Sequence, residues 1–369
     1  MSDAKLGVGV IGTHAWADKA HLPGYVAHPD VDLVAVCDVD ETRARAAAHK
    51  FGARKVYTDA QKMIADPEVE MVDVCTPTHT HLPLSLAAIA AGKHVLSEKP
   101  LHTEAGPAFD AAARADEQSV RTKLGFTFRY SPAIRQLKAW IDDGMLGEIY
   151  HINGFEQNSQ WLDPDVPLRQ VPPDADRAKL IPASIVGYGS HLIDLMRWVG
   201  GEFSAVASSM RNFIPERVVR GEEGRQKIMI DDGTVGLVEY SSGTLGTLQT
   251  SYVTVGNYPG VEIRVYGSKG AAIARLISEF DVAETLMYAK PNSVEFVPFE
   301  LTEAALPPGT TLATPWPELY YRNLVRHFVD EILQGRPQEC TFFDGAKSQE
   351  IVDAMILAHK ERRWVDLSA

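Results

Sequence analysis

The chain has 369 residues, 45% of them hydrophobic, and a net charge of −13. That length suits two domains better than one ordinary core. An acidic balance without any basic run argues against nucleic acid, because phosphate contacts need clustered Lys and Arg, and is read instead as solubility. Cys37, Cys75 and Cys340 are far apart and odd in number, which suits core thiols rather than a disulfide or a metal site. Met1–Lys5 leads straight into a strand, and no apolar run is long enough to span a bilayer. A soluble, cytoplasmic protein is expected, with neither metal nor membrane partner.

Leu6 to Ile11 reads as a buried strand feeding a turn at Gly12 and then a helix. A second strand, Val31 to Cys37, ends on Asp38, and a helix follows over Thr42 to Phe51. A third, Glu70 to Cys75, ends on Thr76-Pro77, followed by a helix over Leu84 to Ala91 that stops at Gly92. The apolar run His94-Val95-Leu96 ends in Ser97-Glu98-Lys99-Pro100, a helix covers Ala105 to Glu117, and Val120 to Phe126 is a last strand. This alternation is that of βαβ units. From Ile149 the character changes. Phe203 to Ala207, Val235 to Tyr240, Leu245 to Val253 and Val261 to Tyr266 are β-like, with a hairpin signal at Ser241-Ser242-Gly243. Trp161 to Pro182 holds five prolines and reads as a long irregular loop. Ser190 to Trp198 is helical, with Leu192, Leu195, Met196 and Val199 on one face, and a last helix over Ala346 to Lys360 is expected to pack back on the domains. The fold class is therefore α/β: a dinucleotide-binding Rossmann domain over 1–125, then an α+β domain over 126–369 with a large, mostly antiparallel open sheet.

Gly12-Thr13-His14-Ala15-Trp16-Ala17 stands where a G-x-G-x-x-G fingerprint belongs. The turn glycine is present, His14 replaces the close-approach glycine, and Ala17 replaces the third. Backbone N–H groups after Gly12 are expected to cradle a pyrophosphate at a helix N-terminus. Asp38, 26 residues after Gly12, has the spacing of a carboxylate on the ribose diol, and Val39-Asp40-Glu41 offers a 2′-phosphate only repulsion. NAD is therefore expected over NADP. Lys99 ends a later parallel strand, facing the crevice where such sheets bind ligands. Oxidising a secondary alcohol requires a base there.

Gly12, Cys37-Asp38, Thr76-Pro77-Thr78-His79-Thr80-His81, Glu98-Lys99-Pro100, Gly189-Ser190-His191-Leu192-Ile193-Asp194, Tyr266-Gly267-Ser268-Lys269-Gly270 and the tail Asp344-Gly345 through Trp364-Val365-Asp366-Leu367 occur in that order. This layout resembles the Gfo/Idh/MocA family of nicotinamide-dependent sugar and polyol dehydrogenases over nearly the whole chain. The resemblance implies that Thr76, Pro77, Thr78 and His81 pass along the nicotinamide ribose with Glu98 nearby, that Lys99 is the acid/base and that His191 contacts the substrate hydroxyl. Most relatives carry an Asp four residues before that histidine; here the position is Gly187. Tyr188 or Asp194, or Asp163, Asp165 or Glu156, could supply the missing group. Asp194 could orient the imidazole or merely make a helix-surface contact. Arg129 and Tyr130 can reach the cleft, and Asn158, Gln160 and Trp161 offer hydrogen bonding and stacking suited to a sugar ring.

The resemblance implies an NAD-dependent dehydrogenase acting on a ring secondary alcohol of a sugar, inositol-type polyol or glycoside, assembled as a homodimer or homotetramer. Two alternatives stay open: a non-catalytic NAD/sugar sensor on the same fold, and an NAD-dependent glycoside-cleaving enzyme.

Overall fold

The computed structural model describes residues 5–168, 171, 175–256, 260–276, 284–303 and 306–367. The chain forms two compact units, each built from two stretches: residues 1–131 with 303–349, and residues 132–302 with 350–369.

The first stretch lays down six parallel strands, β1 (Leu6–Ile11), β2 (Val31–Cys37), β3 (Lys55–Tyr57), β4 (Met71–Val74), β5 (His94–Ser97) and β6 (Thr122–Leu124). Their order is β3-β2-β1-β4-β5-β6. Connections reverse direction between β1 and β4, so the crevice outside the carboxyl ends there is the place for a ligand. Val8, Val10, Val34, Val36, Val72, Val74 and Val95 are buried, as in a parallel sheet covered on both faces. The helices are α1 (Leu22–Val26), after a π-helical turn over Ala17–His21, α2 (Glu41–Phe51), α3 (Ala60–Ile64), α4 (His81–Ala90) and α5 (Ala105–Glu117). Local chemistry sets the ends of α2. The Asp40 carboxylate accepts the N–H groups of Thr42 and Arg43, and Gly52 closes the helix at φ +79°.

The second unit opens with α6 (Pro132–Asp142), β7 (Ile149–Gln157), α7 (Gly189–Gly200) and β8 (Phe203–Arg211). A separate hairpin follows, β9 (Glu216–Val218) with β10 (Arg225–Lys227). Then come β11 (Gly233–Tyr240), β12 (Leu245–Ser251), β13 (Gly260–Gly267), β14 (Gly270–Leu276), β15 (Thr285–Ala289) and β16 (Val297–Phe299). With β17 (Val365–Asp366) they form a nine-stranded sheet, β16-β15-β14-β13-β7-β12-β11-β8-β17, antiparallel except where β7 meets β12. Gly154 lets α7 lie close on β7: an added Cβ would overlap Met196 and approach Leu192 at 2.9 Å. Of the expected irregular loop, residues 169–170 and 172–174 lie outside the described residues. The rest carries only isolated bridges, Leu168 to Val219 and Ile181 to Ile230.

The division differs from a single cut after residue 125. Helix α8 (Trp316–Gln334), which the sequence reading left unassigned, returns to the first unit and packs on α1, where Gly24 leaves room for Val325. Lys123 on β6 reaches Glu331 of α8 at 2.6 Å, and the Leu124 N–H donates to Cys340 O. Helix α9 (Phe342–Glu361) begins in the first unit, where Gly345 packs on Leu124, and ends in the second, where Met355 lies against Gly236. Among the described residues no helix is long and apolar enough to cross a membrane.

Candidate active site

The first-unit site lies in the loops that follow β1, β2, β4 and β5. Gly12 turns at φ +90°, and a Cβ there would overlap the Cys75 carbonyl, so the chain needs glycine at this point. Thr13 is buried; its N–H and hydroxyl both donate to Asp38 Oδ2 at 3.0 Å. His14 and Ala15 are exposed while Ala17 is fully buried. The His14 side chain therefore stands in solvent instead of filling the space a close-approach glycine would leave open. Trp16 folds inward, its Nε1–H shared between Glu98 Oε1 at 3.2 Å and Tyr321 Oη at 3.1 Å. These features fit a dinucleotide: an open backbone after a required glycine, and a fixed carboxylate at the end of the next strand.

Asp38 also accepts the Asp40 N–H and the Arg43 guanidinium, the latter at 2.8 Å. Burial pushes its carboxyl up, but Arg43 and the Asp40 and Thr13 donors win and bring the pKa down to about 2. The sequence reading considered only the three residues after Asp38; the first turn of α2 brings Arg43 back onto it.

The loops after β4 and β5 are tied together by His81, whose Nδ1 lies 2.8 Å from Pro100 O and Nε2 2.7 Å from Thr76 O. The Thr80 hydroxyl donates to Thr76 Oγ1 and Pro77 O. Thr78 opens the short 3-10 turn that leads into α4. Glu98 and Lys99 directly follow β5, and the Lys99–Pro100 peptide is cis. The Lys99 N–H donates to Glu98 Oε2 at 3.1 Å. Behind Glu98 stands a group that sequence reasoning missed. His21 is completely buried, with Nδ1 2.8 Å from Asp73 Oδ2 and Nε2 3.1 Å from Glu98 Oε1. Tyr25 donates to the same Asp73 oxygen at 2.9 Å. An aspartate inside the apolar run Met71-Val72-Asp73-Val74 was the available signal, since a fully buried carboxylate requires partners.

Arg129 and Tyr130 follow β6 in the same unit. Arg129 is 2% exposed and pairs with Asp344 at 3.1 Å; Tyr130 is fully buried, its carbonyl taken by Asn323 and its ring against His327.

In the second unit the N-terminal part of α7 carries Tyr188 just before it, then His191 and Asp194, the last two buried. Asp194 has no exposure, which removes the reading of a surface contact. The chain entering α7 is held by Asp231, which accepts the Ala183, Ser184 and Ile185 N–H groups and the Ser184 and Thr234 hydroxyls. Asn158 is buried and donates to Glu156 Oε1, and its Oδ1 accepts the Gln160 N–H. Glu156 Oε2 takes the Thr250 hydroxyl. Trp161 is 7% exposed in a small core with Leu168, Ile228, Ile230 and Tyr252, and Tyr188 packs against this core. Asp165 lies at the surface in an ion pair with Arg225, beside Asp163, whose carboxylate accepts the Asp165 N–H. Gly187 adjoins Tyr252, whose hydroxyl donates to Ala183 O at 2.9 Å. Among the described residues no group of three His, Cys, Asp or Glu side chains is placed to hold a metal ion.

Residues 6–126 match the oxidoreductase family model described as an NAD-binding Rossmann fold, and residues 134–273 match the GFO/IDH/MocA C-terminal domain. An inositol 2-dehydrogenase of Mycolicibacterium smegmatis is 31% identical over 281 residues, 75% of this chain and 73% of its own. The chain belongs to the Gfo/Idh/MocA oxidoreductase family. A levoglucosan dehydrogenase of Pseudarthrobacter phenanthrenivorans is 28% identical over 399 residues, covering 98% of each chain. A structure of levoglucosan dehydrogenase with NADH and levoglucosan matches the fold at a TM-score of 0.86, with 24% identity over 99% of this chain and all of that one. As a member of this family the chain is an NAD-dependent oxidoreductase built on a Rossmann unit and a large, mostly antiparallel sheet.

Proposed function

We propose that this oxidoreductase transfers hydride between NAD and a ring secondary alcohol of a sugar, inositol-type polyol or glycoside, with Lys99 as the acid/base and His191 as a contact to the reacting hydroxyl. The observation that carries the reading is Lys99 at the carboxyl end of β5, one strand from the switch point, on a backbone held by Glu98. Gly12 to Trp16 would hold the pyrophosphate and Asp38 the ribose diol, while Thr76, Pro77, Thr78 and His81 would line the nicotinamide side. NAD, when bound, supplies the hydride acceptor. The chain's own part is to receive the hydroxyl proton at Lys99 Nζ and to orient the alcohol through His191, with Tyr188 and Asp194 as its neighbours in sequence. Asn158, Trp161, Arg129 and Tyr130 support these elements and shape the substrate side. A homodimer or homotetramer formed through the outer face of the second unit's sheet completes the proposal.

The relatives make levoglucosan and myo-inositol the first probes. NADH formation with either, or with another member of a sugar and cyclitol panel, supports the reading. Tight NADH binding with no turnover across the panel would favour the sensor alternative.

A further inference from the structure

His21 presents both ring nitrogens to carboxylate oxygens, Nδ1 to Asp73 and Nε2 to Glu98. A neutral imidazole has one N–H and one lone pair, so in that form one carboxylate would face a lone pair. Only an imidazolium donates to both. Asp73 depends on this charge. It is fully buried, Tyr25 is its other donor, and its Oδ1 has no hydrogen-bond partner among the described residues. A carboxylate buried this completely requires a strong donor beside it. Glu98 uses Oε1 for His21 and Trp16, which leaves Oε2 for the N–H of Lys99. The rest of the surroundings cannot take over. Tyr321 on α8 stacks on the imidazole with ring centres 4.3 Å apart, and Cys75 after β4 is a thiol that burial pushes up. Burial alone would lower the basicity of His21, yet the Asp73 carboxylate beside it holds it well above the ordinary 6.5. Glu98 lies below its usual range although burial opposes this, with His21 as the main cause, then Lys99 and His81.

We propose that His21 is a positioning residue for the acid/base: bridging Asp73 and Glu98 as an imidazolium, it fixes the Glu98 carboxylate and, through it, the backbone that carries Lys99. The inference rests on the reading of Lys99 as acid/base. The residue touches neither substrate nor cofactor in this account. Its effect is on where the amine stands, and misplacement of about 1 Å costs up to about a hundredfold in rate.

Two substitutions separate this role from simple core packing. A glutamine amide reaches the place of Nε2 and keeps a donor for Glu98; an asparagine amide reaches the place of Nδ1 and keeps only the donor for Asp73. His21→Gln should lose roughly three- to tenfold in kcat and His21→Asn roughly 30- to 100-fold, with KM and the NADH Kd within about threefold in both. Equal losses in the two variants, or losses in KM alone, overturn the proposal. Should His21→Asn fail to fold, Glu98→Gln with and without His21→Gln gives the same test: a shared pathway makes the double variant no worse than the poorer single, and additive losses overturn it. Nitrogen-15 NMR of histidine-labelled full-length protein is independent of substrate. Both His21 nitrogens should carry protons at about pH 7.5, and a neutral tautomer there overturns the proposal. If the imidazolium is present but Lys99→Met turns over like the wild type, the assignment of Lys99 has failed and the bridge has not.

Discussion

The hydroxyl of Tyr252 fills the space that a side chain on Gly187 would enter: an added Cβ would overlap it and lie 3.0 Å from the Ala183 carbonyl. The position where the family resemblance implies an aspartate is thus closed by a tyrosine that donates to Ala183 O and packs on Trp161 at 4.6 Å between ring centres. Gly187→Asp should destabilise the protein by about 1–3 kcal/mol, the usual cost of overpacking. Adding Tyr252→Phe, which removes the clashing oxygen, should recover part of that loss. Urea unfolding of the wild type and the two variants checks this. A single variant as stable as the wild type would mean that Tyr252 moves aside at little cost.

Lys99→Met should lower kcat by about two to four decades, the usual scale for losing a general base, and leave NADH affinity within roughly threefold. Steady-state NADH formation and fluorescence titration measure the two effects separately. Turnover near the wild-type level would end the acid/base assignment.

Asp38 is ionised, and its oxygens are already occupied by Thr13, Asp40 and Arg43. NAD should bind better than NADP. Asp38→Ala should weaken NADH by roughly 10- to 100-fold, the equivalent of about 1.5–3 kcal/mol for hydrogen bonds to a charged group, and should narrow the preference by releasing Arg43 toward a 2′-phosphate. Fluorescence titrations with both cofactors decide, and an unchanged NADH/NADPH ratio would count against Asp38 as the discriminator.

On the outward face of the second unit's sheet Val235, Leu237 and Leu245 are 52%, 51% and 51% exposed on the adjacent strands β11 and β12. Three half-exposed aliphatic side chains on one flat face are what a self-association surface requires. Light scattering at micromolar concentration should give a multiple of 40.5 kDa. Val235→Lys combined with Leu237→Lys should move the mass toward the monomer. A wild type that is already monomeric contradicts the assembly.

His21 also predicts how stability depends on pH. Its folded-state basicity lies well above that of the unfolded chain. Its contribution is therefore fully present below the unfolded value, about 6.5, and is lost as pH rises through the folded value. Urea midpoints should fall from about pH 7 toward alkaline pH in the wild type and fall less in His21→Gln, whose amide does not titrate. Parallel curves for the two proteins would show that His21 gains no proton affinity on folding.

Much of this molecule could be read from residue order. Leu6–Ile11 and Val31–Cys37 are strands with the expected ends because a parallel sheet buried on both faces writes itself as unbroken apolar runs. His94–Ser97 is a strand for the same reason. The segment 303–349 was not legible as part of the first unit, since its partners lie on strands and helices read two hundred residues earlier. A histidine in an Ala-rich helix looks like any other, and the meaning of His21 comes from Asp73 on β4 and Glu98 just after β5. Tyr252 lies far from Gly187 in sequence, and only the sheet, at the end of β12, brings it there. Boundaries also shifted, as at α4, which starts at His81 rather than Leu84 because the short 3-10 turn over Thr78–Thr80 runs into it.

The ion pair between Lys123 and Glu331 has a consequence for how the chain is made. Lys123 is fully buried at the end of the Rossmann sheet, and its carboxylate partner is 208 residues further along. While the polypeptide emerges from the ribosome, β6 waits with an ammonium it cannot bury until residues 132–302 have been synthesised and α8 appears. Vectorial folding therefore cannot finish the cofactor-binding unit from its leading stretch, residues 1–131, alone. A fragment ending at Ser131 would contain every residue expected to touch the dinucleotide and still lack the counter-charge that closes its own core.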